Sequence, residues 1–256
     1  MTDSSVPATS AKPEPQPVGK NSPVLRFDRV SVRLADERFS DVEQVCFEIG
    51  SGGVATIRLT DRRDSPIPAL AIGDRPLEVS ESIGVSGKVE FDGRPWGTES
   101  HGDELARRGQ IGLVLGQPGW VNNLSVLENV ILRQLHHTRR PRREILTEVQ
   151  EMAYAIGLSE VPPRRISAMG RSELRRCEWV RAFLGNPRLI VLERPCALVE
   201  RRYWDALSGW VKRAAGEGTA VLWLSRDADE LNLVSGLATA RYVMSGDTPS
   251  RLEVQR

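Results

Sequence analysis

The chain has 256 residues, enough for one large domain with a sizeable hydrophobic core, or for a domain with a small subdomain. Its formal net charge is +1 and charges of both signs are mixed, so no strong global field favours nucleic acid or an anionic membrane as partner. There is no apolar run of about eighteen residues and no apolar segment near the N-terminus, so we expect neither a transmembrane helix nor a secretory signal.

The N-terminal residues 1–22 are rich in Pro, Ser and Thr and contain no aromatic residue. Such a segment buries too little apolar surface to offset the entropy lost on ordering, so we predict a disordered tail. The rest of the chain, 23–254, is predicted to form one globular domain. Its three cysteines are far apart and lack the spacing of metal ligands, so we expect buried free thiols in a reducing cytoplasm and no metal site.

Alternating apolar and polar residues predict half-buried strands at 24–34, 42–49 and 53–59, and a short strand ending in a turn at 87–93. Continuous apolar runs predict buried strands at 111–115, 189–192 and 220–224. Helical spacing of apolar residues predicts helices at 124–135, 143–156 and 203–215. The alternation of buried strands with helices is typical of βαβ units and a parallel sheet.

Four stretches carry motifs in a fixed order. They are GKVEFDG at 87–93, IGLVLGQPGWVNNLSVLENV at 111–130, ISAMGRSELRRCEWVRAFLGNPRLIVLERP at 166–195 and VLWLSRDADEL at 221–231. Together they resemble the ATP-binding cassette (ABC) ATPases. The resemblance implies an α/β fold with a P-loop NTPase-like (RecA-like) core, an antiparallel β-subdomain before about Asp92 and a helical subdomain at about 98–168. The details at 124–145 and 170–183 resemble the branch that energises Mce/Mla-type lipid transport across the bacterial envelope.

The chemical residues of the family are replaced at the matching positions. A working cassette needs a glycine-rich loop whose amides hold the phosphates, a lysine on the β- and γ-phosphates and a hydroxyl on magnesium. The matching loop at 59–67 reads LTDRRDSPI, without glycine. Ser65 stands at the lysine position, Pro66 and Ile67 at the hydroxyl positions, and Leu34 where an aromatic residue stacks on adenine.

The remaining motif positions are altered too. Gly116 stands at the Q-loop glutamine position, with Gln117 next to it. Glu193 matches the Walker B aspartate, Arg194 the catalytic glutamate and Arg226 the switch histidine. The signature LSGGQ falls on Met169, Gly170, Arg171, Ser172 and Glu173, and the D-loop aspartate on Glu200. Because phosphoryl transfer depends on positioning and charge neutralisation, these losses together predict a pseudo-ATPase that requires neither ATP nor magnesium.

We further hypothesise that Arg194 and Arg226 form a salt-bridge cluster with Glu193, Glu200 and Asp227 in the vacated phosphate site.

The resemblance implies a cytoplasmic subunit that docks on an ABC permease, on an active ABC ATPase subunit, or on both, as a homo- or heterodimer. It would reach the inner membrane only through that partner. Trp120 and Gln117, in the segment where the family receives its permease, are the candidate partner-binding residues. Two alternatives remain open: a free-standing regulatory protein that binds another ligand in the vacated cleft, and an ABC ATPase with residual nucleotide binding.

Overall fold

The computed structural model describes residues 23–33, 38–74, 85–117, 119–246 and 250–255. The predicted tail at 1–22 and the adenine-site position Leu34 lie outside these ranges. Within them, no helix is both long enough and apolar enough to cross a lipid bilayer.

The strands are β1 (Leu25–Val32), β2 (Val42–Ile49), β3 (Val54–Leu59), β4 (Ser86–Phe91), β5 (Arg94–Pro95), β6 (Ile111–Val114), β7 (Leu189–Glu193), β8 (Ala220–Ser225), β9 (Ala240–Met244) and β10 (Leu252–Val254). The α-helices are α1 (Ile67–Ala71), α2 (His101–Arg108), α3 (Val126–His137), α4 (Arg142–Ala155), α5 (Arg171–Phe183), α6 (Trp204–Gly216) and α7 (Ala228–Asn232).

The strands form two sheets. The smaller one is antiparallel, in the order β2-β1-β4-β5, and the larger one has the order β10-β9-β3-β8-β7-β6. In the larger sheet β9, β3, β8, β7 and β6 run parallel, and only β10 is antiparallel to its neighbour. Strand β3 belongs to the larger sheet although it lies between strands of the smaller one in sequence, because its run VATIRL is buried on both faces. The predicted α/β class with one antiparallel and one largely parallel sheet is confirmed.

Helix α3 begins two residues later than predicted, at Val126, because Ser125 forms its N-terminal cap. The Ser125 hydroxyl accepts a hydrogen bond from the Glu128 amide, and the Glu128 carboxylate accepts one from the Ser125 amide. This capping box satisfies two amides that the first helical turn leaves unpaired. Strand β6 falls inside the predicted helical subdomain at 98–168 yet pairs with β7 in the larger sheet. The subdomain boundaries themselves stay predictions.

The cysteines differ in environment. Cys177 and Cys196 are buried free thiols, whereas Cys46 is exposed, so the prediction of burial is wrong at that position. Strand β2 places Cys46 on its outer face, since burial alternates along this strand of the antiparallel sheet. Burial raises the pKa of the Cys177 thiol to about 12, which leaves it uncharged and unreactive.

The arrangement of parallel strands gathers the candidate residues at one edge of the larger sheet. The loop at 60–66 follows β3, Arg194 follows β7, Arg226 follows β8, and the segment at 115–120 follows β6. Carboxyl ends of parallel strands meet at the same edge, which is where α/β sheets bind their ligands.

Candidate functional site

The loop after β3 turns its carbonyl groups towards Arg226. The Arg226 guanidinium donates to the carbonyl oxygens of Asp61 at 2.7 Å, Arg62 at 2.6 Å and Arg63 at 2.5 Å. Three consecutive carbonyls therefore converge on one cation. A phosphate-binding loop presents the opposite polarity, with its amides directed at an anion.

Several amides of the same loop are bound within the protein. The Asp64 amide donates to the Arg38 carbonyl at 2.8 Å, and the Arg63 amide to the Asp61 carboxylate at 3.1 Å. The Arg63 guanidinium also pairs with the Asp61 carboxylate at 2.6 Å and holds the pKa of that carboxyl at about 2. The Ser40 hydroxyl donates to the same carboxylate at 2.9 Å, so Asp61 is bound by groups of the protein on both sides.

The start of α1 offers little to an anion either. The Ile67 amide donates to the buried Ser65 hydroxyl at 3.3 Å, and Pro66 and Pro68 carry no amide hydrogen. This helix is five residues long, so its macrodipole is also small.

Asp64 bridges the two arginines that end β7 and β8. Its Oδ1 lies 3.3 Å from Arg194 Nη2 and 3.5 Å from Arg226 Nη2. An ionic cluster thus occupies this edge of the sheet, but its carboxylate comes from the loop after β3. The composition that we hypothesised for the cluster is therefore wrong.

The three carboxylates of that hypothesis have other partners. Glu193 accepts from the Gly116 amide at 2.7 Å, Glu200 from the Ser172 hydroxyl at 2.6 Å, and Asp227 from the Asp229 amide at 2.9 Å as the cap of α7. Each forms a local hydrogen bond, which leaves Asp64 as the carboxylate that reaches both guanidinium groups. Which carboxylate reaches the two arginines depends on how β3, β7 and β8 lie side by side in the sheet. The positions of these residues along the chain do not indicate it.

A side chain at Gly116 would displace the end of the Arg194 side chain and crowd the Glu193 carboxylate. A Cβ built there would lie 2.3 Å from Arg194 Nη2 and 3.0 Å from the Glu193 carboxyl carbon. Glu193 is 7% exposed, and burial raises the pKa of its carboxyl, while the Gly116 amide and the Arg194 guanidinium oppose that rise. The absence of a side chain at position 116 therefore leaves the space that the Arg194 guanidinium occupies.

Gly116→Gln, which restores the residue of the family pattern, is expected to lower the free energy of unfolding by about 1–3 kcal/mol, because Arg194 must leave its place beside Asp64. Urea denaturation followed by circular dichroism measures the loss. In a double-mutant cycle with Arg194→Ala, the combined loss should be smaller than the sum of the single losses. Strict additivity of the two changes would contradict the steric coupling.

The segment that matches the family's signature lies at the start of α5. Gly170 is the N-cap, its amide donates to the Glu173 carboxylate at 3.2 Å, and Arg171 is exposed. Ser172 meets Glu200 as described, whereas Met169 packs partly against the core. In the described residues this group shares no hydrogen bond or ion pair with the Asp64 cluster.

Two arginines of α5 hold the segment at 115–120. Arg175 donates to the Leu115 carbonyl at 2.7 Å and pairs with the buried Glu178 at 2.6 Å. Arg181 donates to the Gly119 carbonyl at 2.9 Å, and its guanidinium lies 4.7 Å from the centre of the Trp120 ring. Sequence reasoning missed Arg175 and Glu178, although their spacing of three on a helix is a signal for pairing.

The two candidate partner-binding residues differ in exposure. Trp120 is half-buried and packs against the hydrophobic core that the larger sheet forms with α3, α4, α5 and α6, so its ring contributes to the stability of the fold. Gln117 is exposed and lines a cavity of about 280 Å³ together with Ser65 and Glu193. In the described ranges, no group of three or more His, Cys, Asp or Glu side chains is placed to hold a metal ion.

No family model matches the sequence. The chain is 28% identical over 166 residues to the ribose import ATP-binding protein RbsA of Shigella dysenteriae serotype 1 (strain Sd197), with 62% of this chain and 33% of that protein covered. It is also 28% identical over 166 residues to ribose import ATP-binding protein RbsA 2 of Escherichia coli O157:H7, with 62% and 32% covered. The chain thus spans about a third of the length of these relatives.

Solved structures share the fold along most of the chain. The ATP-binding cassette MJ0796 in a dimeric post-hydrolysis state bound to ADP and Pi superposes with a TM-score of 0.73 at 17% identity, covering 91% of this chain and 99% of that one. A second dimeric structure of MJ0796, a bacterial ABC transporter cassette, gives 0.74 at 18% identity with the same coverage. The chain thus has the fold of an ATP-binding cassette, and part of it is similar in sequence to ATP-binding proteins of ribose import.

Proposed function

We propose that this cassette domain is a pseudo-ATPase that works as a structural or regulatory subunit of an ABC transport complex. The observation that carries the proposal is the placement of Arg226, which binds three consecutive carbonyls of the loop at 60–66 and shares Asp64 with Arg194. The edge of the sheet at which a cassette holds its phosphates is filled by the protein's own charges.

The residues present do not fit Mg·ATP. A β- or γ-phosphate would meet carbonyl oxygens at 61–63 and the Asp64 carboxylate in place of amides and a lysine. Magnesium would lack a hydroxyl ligand at Pro66 and Ile67, and no carboxylate stands where the general base would polarise water, because Arg194 is there.

The proposed partners follow from how cassette domains work, as dimers with permease partners. A composite ATP site takes the phosphate loop from one subunit and the signature from the other. This chain departs from the family pattern in both, so a heterodimer with an active ATPase would have two impaired sites. This favours a scaffolding or restraining role over shared hydrolysis.

Two similarities of the chain point to different transported substrates. The stretches at 124–145 and 170–183 resemble the branch for envelope lipid transport, and we propose this context. The relatives RbsA and RbsA 2 are named for ribose import. Identification of the permease that co-purifies with the full-length chain decides between them: a sugar permease would contradict the lipid context, and the absence of any permease would favour a free-standing regulatory protein.

Millimolar MgATP is expected to leave the melting temperature of the protein unchanged. A ligand present at 100 times its Kd adds about 2.7 kcal/mol to the free energy of unfolding, which is readily detected. Differential scanning fluorimetry with MgATP, MgADP and magnesium alone measures the effect, with a hydrolytically active cassette domain as positive control. A saturable rise with MgATP beyond that with magnesium would contradict the proposal.

Trp120→Ala is expected to weaken association with the permease by about 1 kcal/mol or more, because a large aromatic face at the segment 115–120 would be lost from the interface. Because Trp120 is half-buried, circular dichroism of the variant must show an intact fold. Tyr154→Ala, which removes an exposed aromatic ring from α4, serves as matched control in the same pull-down. Equal binding of the Trp120 variant and the wild type would rule this surface out.

A further inference from the structure

Trp120 offers carbon atoms, and no hydrogen-bond donor, to a partner that docks at the segment 115–120. The residue is half-buried, whereas its indole nitrogen is buried and has no hydrogen-bond partner in the described residues. Burial raises the pKa of the Glu178 carboxyl, and the Trp120 indole is among the groups that oppose this rise, so the N–H lies on the side of Glu178. The exposed part of Trp120 is therefore apolar.

Val121 adds a second apolar side chain next to Trp120. It is 42% exposed, and the buried side chain of Asn129 fixes its backbone on both sides. The Val121 amide donates to Asn129 Oδ1 at 2.8 Å, and Asn129 Nδ2 donates to the Val121 carbonyl at 3.1 Å. Trp120 and Val121 thus give a preformed apolar surface, which loses little conformational freedom when a partner covers it.

Arg181 supplies a cation at the edge of this apolar surface. Its guanidinium lies 4.7 Å from the centre of the Trp120 ring, and its Nη1 donates to the Gly119 carbonyl at 2.9 Å. The side chain is half-buried, and its Nε and Nη2 have no partner in the part of the chain that the structure describes. These two nitrogens form the planar fork that binds a carboxylate through two parallel hydrogen bonds.

The positive charge of Arg181 is not balanced by the groups around it. The buried Glu178 carboxylate pairs with Arg175 at 2.6 Å. Burial lowers the pKa of Arg181 although the charge of Glu178 opposes this, and Arg181 forms no salt bridge within the described residues. A half-buried cation without its own counter-ion favours the approach of an anionic group.

Arg133 on α3 adds to the positive charge. Its guanidinium donates to the carbonyl oxygens of Gly109 and Leu184, and it pairs with no carboxylate among the described residues. Burial and the nearby charge of Arg181 lower the pKa of Arg133 to about 10, although Glu148 opposes this. A carboxylate placed against Arg181 would offset the repulsion between the two arginines.

We propose that the partner segment that docks at Trp120 carries an aspartate or glutamate next to an apolar side chain. This inference rests on the proposed docking of a permease at the segment 115–120. The carboxylate pairs with Nε and Nη2 of Arg181, and the apolar side chain covers Trp120 and Val121. A peptide segment satisfies both requirements at once, because its charged and apolar side chains are held a few residues apart.

The test uses the full-length chain and the permease that co-purifies with it. Arg181→Gln should weaken their association about tenfold, since a hydrogen bond to a charged group contributes roughly that factor. Lys212→Gln removes an exposed cation from α6 and should leave the association unchanged. High salt should weaken the association of the wild type more than that of the Arg181→Gln variant, because screening acts on the ion pair.

A charge exchange separates a lost ion pair from a disturbed fold. Arg181→Glu should abolish the association, and changing one cytoplasmic aspartate or glutamate of the permease to arginine should restore it, which a misfolded variant would not allow. Equal binding of Arg181→Gln and the wild type, or no restoring exchange, would overturn the acidic partner. If Trp120→Ala still weakens binding in that case, the proposed docking itself stands.

Vesicles of phosphatidylglycerol and phosphatidylcholine supply the remaining comparison. The permease-free protein should not sediment with these vesicles more than the Arg181→Gln variant does. Sedimentation that depends on Arg181 would assign this cation to lipid phosphate and overturn the proposal. Absence of any association between the wild-type chain and a permease would contradict the proposed function, and this inference with it.

Discussion

Arg175→Met is expected to lower the free energy of unfolding by about 3 kcal/mol, because it removes the guanidinium that pairs with the buried Glu178 carboxylate and leaves Arg181 as the nearby cation. Glu178 is 1% exposed and Arg175 is 6% exposed, and their side chains meet at 2.6 Å. Arg175 also donates to the Leu115 carbonyl, so its removal should loosen the segment at 115–120 as well.

The loss of stability in the Arg175→Met variant should increase as the pH rises. Burial raises the pKa of Glu178 and the Arg175 guanidinium opposes that rise, so the pKa of Glu178 climbs further in the variant. A carboxyl whose folded pKa lies above its unfolded value reduces stability as pH rises from the unfolded pKa, 4.5, through the folded one. The variant should therefore be closest to the wild type in acid and weakest near neutral pH.

Urea denaturation at pH 4.5 and 7.5 measures this effect. The double variant Arg175→Met with Glu178→Met should recover much of the stability, since replacing both members of a buried pair with apolar side chains is often neutral. Arg171→Met, an exposed arginine at the start of the same helix, should stay within about 0.5 kcal/mol of the wild type. A loss in the Arg175 variant no larger than this control would show that the pair contributes nothing to stability.

Gly112→Ala is also expected to have a large effect, a decrease in the free energy of unfolding of about 3 kcal/mol or more. A Cβ at Gly112 would lie 1.9 Å from the Ala182 carbonyl oxygen, a backbone atom of α5 that cannot rotate away. Accommodation requires α5 to move off β6, and the arginines that hold the segment at 115–120 would move with it.

Gly102→Ala is the matched control for this contact. Gly102 lies in α2, and a Cβ at this position would have no atom within 4 Å, so alanine there should stabilise the protein by about 0.5–1 kcal/mol through its helix propensity. Both variants can be compared by thermal and urea unfolding. A Gly112 variant as stable as the Gly102 variant would mean that α5 and β6 are not in rigid contact.

Sequence patterns predicted seven of the strands and three of the helices, whereas α1, α2, α5, α7, β5, β9 and β10 were not predicted. Alternation of apolar residues located β1 and β2, and continuous apolar runs located β7 and β8, because half-buried and fully buried strands differ in this pattern. Motif order along the chain predicted the cassette fold, which the matching solved structures share, and the family-equivalent positions stay predictions. The spacing of apolar residues and the order of motifs can be read directly from a sequence. Boundaries such as the start of α3 depended on cap hydrogen bonds and were displaced by two residues.

The tertiary structure alone decided which charges meet and which way the loop backbone faces. Asp64 and Arg194 are 130 positions apart, and they touch because β3, β8 and β7 run parallel and end at one edge. Sequence identifies Asp64 and Arg226 as charged but cannot tell whether residues 61–63 present amides or carbonyls to the site, since that depends on backbone dihedrals set by the surrounding contacts.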